Sequence, residues 1–277
     1  MDGNMNRPAS DIDWAKAWDD ATAQRGLRAN LERQGHSRED FWQKYQTWMS
    51  LYVNRDYPGK LLDRILDITH QGGSLLDIGA GAGSFAIPLA LHGVNVTAVE
   101  PSPRQSGALA KEIQKESLAN IRIVHDEWEA LLPEEITKHD HVMAVYSLEM
   151  ENIRPALEKM IAVAAKNVLL VHTAGNDLRP ALKTLFGLQA SPDYIYIYNI
   201  LYQMDFSPDV EVFCRDYKIP LEVQLEMFSY NPGLNPDELA KLKEHLSDSG
   251  KTFTEGGQVW LKRQNRDALI WIKKEVQ

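Results

Sequence analysis

Leu75-Leu76-Asp77-Ile78-Gly79-Ala80-Gly81-Ala82-Gly83-Ser84 decides the fold. A short run of strand character ends in three glycines, and Phe85, Ile87 and Leu89 then continue at helical spacing. Glycine lets the backbone turn sharply and lets a ligand approach to main-chain distance. The helix start that follows offers free N–H groups to a carboxylate or other anionic group. Glu100 follows Val96-Thr97-Ala98-Val99 at the end of the next strand. An acid there, about 20 residues past the glycines, is placed to accept hydrogen bonds from ribose hydroxyls. A dinucleotide turn needs a third small residue in the G-x-G-x-x-G pattern; Ser84 stands in that slot and Gly83 one position earlier. Asp77, two residues before Gly79, would repel a pyrophosphate but help hold a cationic amino group. The spacing disfavours NAD and favours a ligand with a ribose and an ammonium but no pyrophosphate.

Outward from this turn, strands and helices alternate. Ser74–Ile78, Val94–Val99, Ile121–Val124, His141–Tyr146 and Asn167–His172 read as strands, with helices near 83–92, 103–117, 129–136 and 152–165. Such alternation predicts a parallel sheet covered by helices on both faces. Downstream, a helix is expected at 177–187. A second helix is expected over the tyrosine-rich 194–202, where Tyr194, Tyr198, Leu201 and Tyr202 share a face. Val210–Tyr217 reads as a strand and Asn235–Ser247 as a helix opened by Asn-Pro, while Gln258–Lys262 and Ala268–Lys273 resemble a β-hairpin. Upstream, Trp14, Trp18 and Ala21 recur at helical spacing, as do Phe41, Trp42, Tyr45, Trp48, Met49 and Tyr52. Ser37 is the expected N-cap of that second stretch, with Asp40 three residues on. Leu61–Ile68 makes a third helix, stopped by His70-Gln71-Gly72-Gly73. The chain thus divides into a helical extension, 1–70, and a main domain, 71–277, with a helical insertion at about 176–206. Two roles are open to the aromatic residues of 1–70: packing these helices on the body, or covering a substrate.

Asp77 to Gly83 resembles the first motif of the class I S-adenosylmethionine-dependent methyltransferases. Val99-Glu100-Pro101-Ser102 is similar to their second, acidic motif, and His125-Asp126-Glu127-Trp128-Glu129-Ala130-Leu131 to their third. Asp140-His141-Val142-Met143 with Tyr146-Ser147-Leu148 resembles the fourth. The resemblance spans roughly residues 72–175. It implies an α/β, Rossmann-like, doubly wound sheet of seven strands, mostly parallel, with an antiparallel edge hairpin and N-terminal helices added. It implies S-adenosyl-L-methionine as cofactor. Gly79, Gly81 and Gly83 would let the backbone pass close to the methionine moiety, and Asp77 would orient its amino group. Glu100 would take the ribose diol, and Asp126 the adenine amino group with Glu127 as the competing acid. Trp128 would pack on the adenine or else in the core. Tyr146, at the carboxyl end of the fourth strand, would border the sulfonium or the substrate. Tyr146 and His172 are the candidates for a catalytic group, with His125 and His141 also near strand ends. Members without a dedicated base exist, so no catalytic residue is named outright.

Composition narrows the acceptor. The 277 residues carry a formal net charge of −9, with 44% hydrophobic and 25% charged residues, the profile of a globular chain with a sizeable core. Sequence-blind nucleic-acid binders draw their affinity from basic groups on phosphates, and here Lys and Arg are scattered singly or in pairs. No Asn-Pro-Pro-Tyr-like segment follows the fourth strand, which weakens an adenine-N6 or glutamine methyltransferase reading. The acceptor is therefore expected to be a small molecule, with no nucleic acid and no membrane as partner. Cys214 is the single cysteine, so neither an intrachain disulfide nor a cysteine-based zinc site is available. No metal-binding motif is present. The start of the sequence does not read as a signal peptide, no apolar run approaches a membrane span, and a cytoplasmic location is expected. The competing readings are a protein that binds S-adenosylmethionine or its product as a sensor without transferring a methyl and, more distantly, an NAD-dependent oxidoreductase.

Overall fold

Among the described residues four helices precede the first strand: α1 (Trp14–Arg25), α2 (Leu27–Arg33), α3 (Arg38–Leu51) and α4 (Gly59–Thr69). The computed structural model describes residues 11–51, 57–69, 73–132, 134 and 136–274. Tyr52 and the expected stop at His70-Gln71-Gly72 lie outside the described residues. Local side chains start these helices. Asp13 accepts the Lys16 N–H at 3.0 Å ahead of α1, and Ser37 Oγ accepts the Asp40 N–H at 3.1 Å ahead of α3. Each satisfies a helix-start donor that has no partner inside the helix.

Strands and helices then alternate as β1 (Ser74–Ile78), α5 (Ala86–Leu91), β2 (Asn95–Val99), α6 (Pro103–Lys115), β3 (Ile121–Val124), β4 (His139–Val145), α7 (Ile153–Val163) and β5 (Ala164–Asn176). All neighbours among these five strands are parallel. The helix expected at 129–136 does not start among its described residues, and residues 128–131 make a turn and a bend. Lys159 on α7 takes the carbonyls of Trp128 and, at 2.8 Å, Leu131, oxygens that a helix would need for its own ladder.

After β5 come α8 (Arg179–Phe186), α9 (Tyr194–Gln203), β6 (Asp209–Pro220), α10 (Leu221–Tyr230), α11 (Pro236–Asp248), β7 (Thr252–Glu255) and β8 (Gln258–Lys273). The sheet has eight strands in the order β3-β2-β1-β4-β5-β8-β6, with β7 paired to β8, one strand more than expected. The expected hairpin at 258–273 is instead one continuous strand, β8, antiparallel to β5, β6 and β7. Its polar middle suggested a turn, but Arg263 and Asp267 are buried and ion-paired to Asp177 and Arg215. Those charges sit inside, so the chain has no need to reverse there.

The described residues form three apolar cores. One face of the sheet packs against α1, α7 and α9 through Trp18, Leu157 and Ile197. The other packs against α4, α5 and α6 through Ile65, Leu89 and Leu109. The third core joins Leu31 and Trp48 of α2 and α3 to Leu225 of α10, Leu242 of α11, Ile219 of β6 and Leu261 of β8. It contains no residue of β1 to β4. β5 stops pairing with β8 at Asn176–Asn265, whereas β6 accompanies β8 on to Pro220–Trp260. The third core therefore stands beyond the carboxyl ends of the parallel strands, the edge where open α/β sheets bind ligands. Among the described residues no helix is long and apolar enough to cross a membrane.

Candidate active site

The glycine turn hangs from the end of β2: the Gly79 and Ala80 N–H groups donate to the Val99 carbonyl at 2.8 and 3.1 Å. Gly79, Gly81 and Gly83 all have positive φ, +72°, +59° and +91°, a region that only glycine enters without strain. Their surroundings differ. A Cβ on Gly79 would stand 2.4 Å from the Ser147 Cβ, and one on Gly83 would stand 2.5 Å from Leu109 Cδ1. A Cβ on Gly81 would meet nothing within 4 Å. Gly79 and Gly83 thus let the turn pack on its neighbours, and Gly81 alone borders open space.

Two acids lie beside that space. Glu100 is 6% exposed, and its carboxylate accepts the Gly81 N–H at 2.8 Å and the Ser102 N–H at 2.9 Å. Burial raises its pKa, and the two N–H groups pull it partly back. Asp77, at 2% exposure, is held up to about pKa 7 by burial and then by the Glu100 charge, with no hydrogen bond from a described residue to offset them. A buried acid without a partner is costly, and an ammonium ion is the group that would relieve it.

The loop after β3 carries the third set. Asp126 is exposed and accepts the Glu127 N–H at 2.8 Å. Glu127 pairs with Arg38 of α3 at 2.9 Å. Trp128 is buried at 3% exposure, donates its indole N–H to the Ala156 carbonyl at 3.2 Å, and lies under the Lys159 ammonium. It packs the loop onto α7. From α3, Gln46 also reaches Gln105 of α6 at 3.0 Å, so this helix spans from the third motif to the helix that follows Glu100. Neither contact was visible in the sequence, because Arg38 and Gln46 are ordinary polar residues of a helix surface.

Beyond β4 the chain turns through Tyr146, whose φ is +53°. Its N–H bonds the Val171 carbonyl at 2.9 Å, and its hydroxyl donates to Asp267 of β8. Burial of that hydroxyl and the Asp267 charge keep its pKa well above the usual tyrosine value. His172, on β5, has its ring 5.8 Å from that of Tyr146 and 5.2 Å from that of Trp18. Its Nε2 faces the Pro192 carbonyl at 3.2 Å and its Nδ1 is enclosed without a partner. Burial lowers its pKa to about 4, so the ring is neutral at pH 7. Trp14 and Trp18 both edge onto Tyr196 of α9, whereas Trp42 and Trp48 pack around Phe41 in or against the third core. His141 lies near the amino end of β4, where Asn167 meets its ring at 3.0 Å, and His125 is exposed just after β3.

The profile of the methyltransferase domain family matches residues 45–253. The chain belongs to that family. Methyltransferases of this kind use S-adenosylmethionine as their methyl donor, and the residues present suit it: open space at Gly81, Glu100 within one hydrogen bond of that space, and the buried carboxyl of Asp77, which takes no hydrogen bond from a described residue. Solved structures with the same fold include the YcgJ protein of Bacillus subtilis, with TM-score 0.55 and 17% identity, covering 77% of this chain and 97% of that one. A second is a Bacillus halodurans protein assigned as a methyltransferase, with TM-score 0.56 and 16% identity over 78% of this chain and 99% of that one. Among curated relatives, an uncharacterised Haemophilus influenzae protein is 34% identical over 47% of this chain and 49% of its own length. A Methanosphaera stadtmanae protein named probable ribosomal RNA small subunit methyltransferase A is 29% identical over 43% of this chain and 40% of its own. The chain therefore spans about half or less of these curated relatives.

The glycines of this methyltransferase turn can be separated by experiment. Gly79→Ala is expected to lower the melting midpoint by several degrees, since a methyl must force Ser147 aside in addition to the left-handed backbone cost of about 1–2 kcal/mol. Gly81→Ala carries the backbone cost alone, yet it places a methyl where the cofactor would lie. Thermal melts and S-adenosylhomocysteine calorimetry on both variants check this. Gly79→Ala should lose more stability, and Gly81→Ala should lose more affinity relative to its stability.

Proposed function

We propose that this methyltransferase moves the methyl group of S-adenosylmethionine to a small, uncharged or weakly polar acceptor. The observation that carries the reading is adjacency. Ser147, whose Cβ abuts Gly79 and whose hydroxyl bonds the Ile78 carbonyl, directly follows Tyr146, so the cofactor turn and the Tyr146–His172–Trp18 aromatic group share one edge of the sheet. Asp77 would hold the donor's ammonium, Glu100 its ribose hydroxyls and Asp126 or Glu127 its adenine amino group. When bound, the donor supplies an already activated methyl on a sulfonium. The chain's task is then alignment, which by itself can account for several kcal/mol of barrier. The described helices of the N-terminal extension and the insertion at 176–206 act as the cover: α1 brings Trp18 to His172, α9 sets Tyr196 against Trp18, and α3 bridges Glu127 and Gln105. The net charge of −9 supports a small molecule over a nucleic acid, and the single cysteine supports the reducing cytoplasm.

Calorimetry with S-adenosylmethionine and S-adenosylhomocysteine, followed by release of S-adenosylhomocysteine over a panel of phenols, amines and carboxylic acids, tests this. Binding of both and turnover with a panel member is the expected result. Binding of both with no turnover on any of them favours the sensor reading, and preference for NAD over either rejects both.

A further inference from the structure

Asp267 and Arg215 lie outside every motif considered above, yet they form a buried ion pair at the ligand-binding edge. Arg215 Nε stands 3.2 Å from Asp267 Oδ2, with the side chains 15% and 3% exposed. The Arg215 guanidinium lies 4.7 Å from the ring centre of Tyr57 and 5.3 Å from that of Tyr217. Tyr57 in turn packs edge-on against Phe85, which opens the helix after the glycine turn, at 5.7 Å. Burying such a pair costs several kcal/mol per ion and seldom improves on apolar packing, so its presence here needs a reason. The second Asp267 oxygen supplies one, because it receives the Tyr146 hydroxyl. Tyr146 holds a left-handed backbone that bulky residues avoid, and its residue surface is nevertheless 41% exposed. Backbone strain maintained around a side chain that is both anchored and accessible points to a ligand contact.

Resting on the methyltransferase reading, we propose that Asp267 and Arg215 are positioning residues that fix the Tyr146 hydroxyl so that its oxygen accepts a hydrogen bond from the methyl acceptor, a flat molecule with an N–H or O–H at its reacting atom. A phenolic hydroxyl has one proton and two lone pairs. The hydroxyl gives that proton to the Asp267 carboxylate, and the lone pairs of the Tyr146 oxygen are left for a donor. Tyr146, 41% exposed as a residue, is open enough to meet the acceptor. Arg215, 3.2 Å from the other Asp267 oxygen, holds that carboxylate in place and with it the inward turn of the hydroxyl.

The experiment uses the full chain with 13Cζ-labelled tyrosine, loaded with S-adenosylhomocysteine and titrated with phenol, aniline and toluene. Tyr146→Phe identifies the Tyr146 signal by its loss. Phenol and aniline are expected to shift that signal and to bind at least fivefold more tightly than toluene, which has the same shape and no donor. Asp267→Asn should retain S-adenosylhomocysteine affinity within threefold, abolish the preference for phenol over toluene, and bring Tyr146 titration back towards pH 10. Arg215→Lys, which keeps the charge, gives the same comparison should the Asn variant not fold, with the preference for phenol reduced. No S-adenosylhomocysteine binding to the unaltered chain overturns the methyltransferase reading and this inference with it. Binding with a Tyr146 signal that phenol and aniline leave unmoved, or that toluene moves equally, overturns this inference alone.

Discussion

Replacing Glu100 by Ala is expected to weaken S-adenosylhomocysteine binding about a hundredfold. Each Glu100 oxygen already takes one backbone N–H, from Gly81 and from Ser102, and each retains acceptor capacity for one hydroxyl of a ribose diol. Hydrogen bonds to a charged group contribute about 1.5–3 kcal/mol each. Two at the lower bound give about 3 kcal/mol, and a hundredfold change is about 2.7 kcal/mol. The same substitution strips partners from the Gly81 N–H of the turn and the Ser102 N–H at the start of α6, so the melting midpoint should fall as well. Glu100→Gln separates the two contributions. Its amide keeps one accepting oxygen and presents a donor to the other N–H, and it should lie between Ala and the unaltered chain in affinity. Calorimetry on the three proteins orders them. A loss under about twofold in the Ala variant rejects the ribose role.

Glu100 was legible in the sequence because its signal is local: strand, glycines, helix, strand and acid in that order, with each spacing set by backbone geometry. The five parallel strands and α9 were legible for the same reason, since their apolar periods are complete within each segment. What failed was everything whose reason lies elsewhere in the chain. Lys159 takes the carbonyls that a helix at 129–136 would have needed, from about 30 residues away. The polar middle of β8 stays in a strand because Asp177, in the turn after β5, and Arg215, on β6, pair with Arg263 and Asp267. Asp267 itself was a detectable oddity, an acid directly before the apolar run Ala268-Leu269-Ile270-Trp271-Ile272. Its partner Arg215 had no such mark within Val210–Tyr217. Trp128 shows a further limit: a tryptophan beside a binding motif has the same sequence signature whether its ring meets a ligand or, as here, the Ala156 carbonyl and the Lys159 ammonium.

Asp77 should make cofactor affinity strongly dependent on pH. Its carboxyl, at about pKa 7, is roughly half protonated at neutral pH in the free protein, and only the carboxylate can pair with an ammonium. Below pH 7 binding must therefore expel a proton, and affinity should fall by up to tenfold per pH unit, about fiftyfold between pH 7 and pH 5. Above about pH 8 it should level off. The folded state holds the Asp77 proton more tightly than the unfolded chain, so this group removes stability as pH rises from about 4 to 7. His172, lowered to about 4 by burial, works in the opposite direction: the unfolded chain binds its proton more tightly, and stability is gained as pH rises from about 4 to 6.5. The two slopes oppose each other over most of one window. Glu100 and Glu149 are raised and add to the first slope, whereas His139 is lowered and adds to the second. Asp77→Asn removes the largest contribution on the first side. It should stabilise the free protein above pH 7 by up to about 4 kcal/mol, from about three pH units at 1.36 kcal/mol each, and leave the His172 slope between pH 4 and 6.5 less opposed. It should also abolish proton release on binding. Calorimetry at pH 6 in two buffers of different ionisation enthalpy counts that proton: close to one for the unaltered chain, near none for Asp77→Asn. Equal counts in the two proteins would remove Asp77 from the ammonium site.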